Sequence, residues 1–128
     1  MRLLSRSHRA MTGFFLAAGL LAPVAADAHA IVIGVDPAVE STVTGPDVPI
    51  SIRFNSRIDQ ERSRLVLLGP GHSKQPLVIR AGDAPDRLLA TAKGLAAGDY
   101  TVHWQVLAVD GHLTRGDIPF HVKAPTAP

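Results

Sequence analysis

An all-β sandwich of about seven short strands is the fold predicted for residues 29–128, on three observations. Turn punctuation is dense: Asp36-Pro37, Gly45-Pro46, Gly69-Pro70-Gly71, Gly82-Asp83, Gly98-Asp99 and Asp110-Gly111. The runs between these turns have strand-like composition and no helical period. Two of them alternate strictly. Ile50, Ile52 and Phe54 are separated by Ser51 and Arg53, and Tyr100, Val102, Trp104 and Val106 by Thr101, His103 and Gln105. Each of these strands therefore has one face for a core and one for water.

In chain order the expected strands are 30–35, closed by Asp36-Pro37; 48–54, with the first alternation; 63–68, closed by Gly69; 76–80; 86–92; 100–109, with the second alternation; and 117–123. Seven strands at this spacing predict an antiparallel Greek-key sandwich or barrel, with a smaller open barrel as the alternative on pattern alone. Leu95-Ala96-Ala97-Gly98-Asp99-Tyr100 adds a sharper sign. A Leu, then a Gly two residues ahead of a Tyr that opens a strand, is the pattern of the tyrosine corner in Ig-like sandwiches. The single Tyr and the single Trp, Trp104, are thus assigned to the core. The tail, 124–128, is rich in Ala and Pro and is expected to be disordered.

Residues 1–28 have the three parts of a secretory signal peptide. Arg2, Arg6 and Arg9 precede an apolar run from Ala10 to Val24, and Ala26-Asp27-Ala28 offers a cleavage site. A membrane anchor is disfavoured because the run is short and is interrupted by Gly13, Gly19 and Pro23. The chain carries 13 Lys+Arg and 11 Asp+Glu. Removing Arg2, Arg6, Arg9 and Asp27 leaves ten of each, so the mature part is formally neutral and its surface does not suit nucleic acid. There is no cysteine, and both methionines, Met1 and Met11, lie in the leader. Disulfides, thiol nucleophiles, iron–sulfur clusters and Cys-based zinc sites are excluded.

Cleavage after Ala28 makes His29 the first residue. A free α-amine and the Nδ1 of the same histidine can close a chelate ring on a metal, which no internal histidine can do. Amine and imidazole have ordinary pKa values of about 8 and 6.5, so a metal can displace their protons near neutrality. Later in the sequence, the strand from Tyr100 runs into Asp110-Gly111-His112. In extended chain these two side chains point to one side, and Gly111 lets the backbone bend. An imidazole and a carboxylate at a strand end make part of a small metal site that His29 would complete. His103 and His121 are expected on adjacent strands, facing outward, as solvated residues or a second, weaker site. His72 is read as plain surface, and the stretch Arg57, Asp59, Glu61, Arg62 and Arg64 as solvated.

Taken together, His29-Ala30 after an export signal, Asp36-Pro37, Ile52-Arg53-Phe54-Asn55, and Gly98-Asp99-Tyr100-Thr101-Val102-His103-Trp104 leading into Asp110-Gly111-His112 resemble the CopC family of periplasmic copper-binding proteins. The resemblance covers residues 29–123. It implies a Greek-key β-sandwich and a Cu(II) site made by the amine and imidazole of His29, the imidazole of His112 and the carboxylate of Asp110. Nitrogen donors with one carboxylate suit Cu(II). It also implies a periplasmic monomer that stores or delivers copper or confers resistance to it. The implied partners are the copper ion and an inner-membrane copper transporter or another periplasmic copper carrier, with no nucleic acid and no membrane contact after cleavage. Two departures stand out. Some members carry a methionine-rich loop for Cu(I), which a mature chain without methionine excludes. Many have a glutamate after a Phe-Ser pair, where this sequence has Ser56.

Two other readings compete with a non-enzymatic copper protein. An N-terminal His with a second His also resembles the copper brace of oxidative polysaccharide-cleaving enzymes. Against this, about 100 residues leave little room for a flat substrate surface, and a carboxylate on the metal would fill the position that oxygen needs. The second is an Ig-like structural module with incidental histidines.

Overall fold

The alternation of Ile50, Ile52 and Phe54 is realised as β3 (Val48–Phe54), whose side chains are buried at every second position. The computed structural model describes residues 30–80, 82 and 84–126, together with Gly19. His29 and nearly all of the leader thus lie outside the described residues. Around β3 are β1 (Val32–Asp36), β2 (Thr42–Thr44), β4 (Ile58–Gly69), β5 (Ser73–Leu77), β6 (Arg87–Ala92), β7 (Gly98–Ala108) and β8 (Leu113–Lys123). Strands β1-β3-β6 form one sheet and β2-β8-β7-β4-β5 the other. All pair antiparallel except β2, which lies parallel to β8 with Thr42 beside His121. The described residues include no helix long and apolar enough to cross a membrane.

The sandwich expected from sequence is present, with differences at its margins. β2 was not anticipated. Its three residues are too few to show a period, and the backbone of β8 holds them. β4 begins five residues before the expected 63, because the charged segment after Ile58 pairs with β7 through Ile58 and Asp59 before a bulge. That segment is nonetheless largely exposed, as its charge pattern implies. β5 lies three residues earlier than the expected 76–80.

The core lies between the sheets. Phe54 of β3 meets Trp104 of β7 edge to face, with ring centroids 5.4 Å apart, a favoured aromatic geometry. Trp104 is 7% exposed and lies flat against its register partner, Gly116 on β8. A Cβ at Gly116 would come 2.5 Å from the indole ring, so only glycine allows this approach.

The tyrosine corner forms as expected. Tyr100 stacks on Phe120 at 5.9 Å, and its hydroxyl donates to the Ala96 carbonyl at 2.8 Å. Tyr100→Phe is expected to cost about 1 kcal/mol, read as a lower urea midpoint with an unchanged slope.

Candidate metal centre

Strands β7 and β8 are joined by the tight turn 109–112, and this turn carries both described site residues. The amide of Gly111 donates to the Ala108 carbonyl at 2.9 Å, and the amide of Ala108 to the His112 carbonyl at 2.8 Å. Gly111 has φ of +90°, a left-handed conformation that glycine adopts without steric cost. Asp110 folds back over the turn. Its Oδ1 accepts the backbone N–H of His112 at 3.0 Å, and its Oδ2 lies 2.9 Å from Nδ1 of the same residue. A carboxylate only accepts, so Nδ1 is the donor in this contact. A carboxylate that accepts from an imidazole in this way orients it for a metal. Turn geometry, not the extended-chain alternation anticipated from sequence, is what brings Asp110 and His112 together.

The turn lies at the end of the sandwich where the described chain begins. Ala30 is 2% exposed. The next residue, Ile31, is clamped by Asn55: its N–H donates to Asn55 Oδ1 at 2.9 Å, and the Asn55 amide donates to its carbonyl at 2.9 Å. Residues 55–57 link β3 to β4, whose first residue, Ile58, pairs with Ala108 at the foot of the turn. Ser56, in that link, buries a hydroxyl that has no hydrogen-bond partner among the described residues. The positioning role of Asn55 was missed from sequence, where it was seen only as part of a motif.

Among the described residues no group of three or more His, Asp or Glu side chains is arranged to hold a metal ion. Asp110 and His112 supply one carboxylate and one imidazole, donors that suit Cu(II), and a complete set needs further donors. The third site residue expected from sequence, His29, lies outside the described residues.

His103 and His121 face outward from the five-stranded sheet, as expected, but do not form one site. The register pairs His103 with Asp117 and His121 with Asp99, which sets the two rings about four residues, or ~13 Å, apart along the strands. His103 Nδ1 lies 2.6 Å from Asp117 Oδ1. His121 is flanked on both sides, with Nδ1 2.6 Å from Asp99 Oδ1 and Nε2 3.0 Å from Glu40 Oε2. Those carboxylates sit at opposite edges of the ring and cannot share a metal with one ring nitrogen. They raise the pKa of His121 above its ordinary value, Asp99 first and then Glu40, both through hydrogen bonds to the ring.

Residues 32–123 match the family model described as the CopC domain. The copper resistance protein C of Pseudomonas syringae pv. tomato is 30% identical over 115 residues, covering 84% of this chain and 90% of the relative. Protein YobA of Escherichia coli K12 is 31% identical over 99 residues, 75% and 80% of the two chains. Among solved structures, PcoC, a methionine-rich copper resistance protein from Escherichia coli, superposes with a TM-score of 0.61 at 27% identity, over 75% of this chain and all of that one. CopC from Methylosinus trichosporium OB3b shares the fold, with a TM-score of 0.68 at 24% identity over 78% of this chain and 99% of the other. On the family match and the relatives of like length, this chain belongs to the CopC family of copper resistance proteins.

Proposed function

We propose that the chain is an exported carrier holding one Cu(II) ion between its mature N-terminus and the β7–β8 turn. In this reading residues 1–28 are removed as a signal peptide, and 29–123 fold as the copper-binding domain in the periplasm. The α-amine and imidazole of His29 chelate the metal, and the imidazole of His112 and the carboxylate of Asp110 complete its donor set. The observation that carries the reading is the Asp110–His112 turn, with Nδ1 of the ring tied down, at the end of the sandwich where Ala30 and Ile31 are anchored. A bound ion would compete with His112 for the oxygens of Asp110, so that carboxylate orients the imidazole before loading and ligates after it.

The role is storage, delivery or resistance, with an inner-membrane transporter or another periplasmic carrier as the exchange partner and the protein acting as a monomer. A carrier is favoured over an oxidative enzyme because Trp104 and Tyr100 are buried in the core and neither can serve as a platform for a polysaccharide. PcoC is described as methionine-rich, whereas no methionine follows Met11 here. A thioether site for Cu(I) therefore has no donors in the mature chain.

A competitive Cu(II) titration of the chain beginning at His29 tests this. One tight equivalent is expected, with affinity falling steadily from about pH 7 to pH 5 as protons compete for the amine and imidazoles. His112→Ala is expected to weaken binding by more than about tenfold. An affinity flat over that pH range, or unchanged by His112→Ala, overturns the site.

A further inference from the structure

Far from the metal turn, at the opposite end of β7, three elements meet at one imidazole. His121 lies on β8, Asp99 on β7, and Glu40 in the segment just before β2. A neutral imidazole donates through one nitrogen only, so it satisfies one of these carboxylates and turns a lone pair toward the other. The imidazolium donates to both. The backbone around Glu40 is built for this contact: Glu40 has φ of +61°, a left-handed conformation uncommon for a residue with a Cβ, and its amide donates to the Pro119 carbonyl at 2.7 Å. The next residues lead into β2, a sheet edge of three residues. Beside it the His121 amide donates to the Ser41 carbonyl at 2.8 Å, and the Gly45 amide to the Lys123 carbonyl at 3.0 Å.

We propose that His121 is a proton-operated latch that holds the 40–45 segment and edge strand β2 against β8. With the proton on, the ring bridges Glu40 and Asp99 and the edge is closed. With it off, one carboxylate is released, and strained Glu40 is the member whose departure frees backbone. The next charge on the same face of β8 is Lys123, two residues on, while Asp117, engaged by His103 of β7, lies about four residues, or ~13 Å, away. β2 itself, Thr42-Val43-Thr44, brings no charge.

The direction follows from the raised pKa of His121. A folded-state value above the unfolded one gives a contribution that is complete below the unfolded value of about 6.5 and is lost as pH rises through the folded value. Because the carboxylates are well exposed, the effect is local and modest.

Amide hydrogen exchange on the mature chain, corrected for intrinsic rates and referenced to the core amide of Val102, tests the latch. Protection of the Glu40, His121 and Gly45 amides is expected to fall severalfold, relative to Val102, between pH 6 and pH 9. Glu40→Gln and His121→Gln should each abolish that dependence. Glu40→Gly removes the carboxylate but keeps a backbone that tolerates positive φ, and should show the lower protection of the unlatched edge at both pH values. Equal relative protection at pH 6 and 9 in the parent chain overturns the proposal, as does a pH dependence that survives in His121→Gln.

Discussion

A single alanine placed ahead of His29 is expected to weaken Cu(II) binding by more than about 100-fold, the upper end of what losing an outer-shell partner of a metal ligand costs. The extension converts the α-amine into an amide. That removes one donor directly and also the chelate ring that makes the imidazole of the same residue effective. The rest of the site is left alone, because the chain from Ala30 onward is fixed by burial of that residue and by the two hydrogen bonds between Ile31 and Asn55. A competitive titration of the extended and unextended chains reads the difference. Equal tight binding in both would remove the terminal amine from the site and move it to internal histidines.

Phe54→Ala is expected to destabilise the fold by about 3–5 kcal/mol, a large part of the 5–15 kcal/mol that holds a domain of this size. Phe54 is 1% exposed and is the contact through which the three-stranded sheet meets Trp104 of the five-stranded one. Truncation leaves a cavity bounded by rigid strands and an indole that Gly116 pins from the other side, so the site collapses poorly. In urea the midpoint should fall by about 2 M, followed by fluorescence of the single tryptophan. A loss below about 1 kcal/mol would mean that the two sheets are held together elsewhere.

The parts of the fold legible in sequence were those where local pattern and tertiary demand agree. β3 was expected at 48–54 and lies there, because five consecutive residues alternate between core and solvent with no polar intrusion. Tyr100 was legible because its hydroxyl bond spans only four residues. β2 was not, since nothing in Thr42-Val43-Thr44 distinguishes it from loop until the edge of β8 is available. The charged start of β4 was hidden because one strand partner and a bulge suffice there. At the site, Asp110-Gly111-His112 was readable as a short motif, but Asn55 as the clamp on Ile31 was not, since that bond joins residues 24 apart in sequence. The separation of His103 from His121 likewise depends on the register of β7 and β8, which alternation alone does not fix.

The place of β8 in its sheet bears on when the domain can form. This strand is the last among the described residues, yet it lies inside the five-stranded sheet, between β7 and the early strand β2. Until it arrives, β7 has one naked edge, Trp104 has no Gly116 to lie on, and Thr42–Thr44 has nothing to pair with. Pairings this distant in sequence fold slowly, in milliseconds to seconds for all-β domains. The two strands that flank β8 therefore stay unpaired on that side until residues 113–123 are in place.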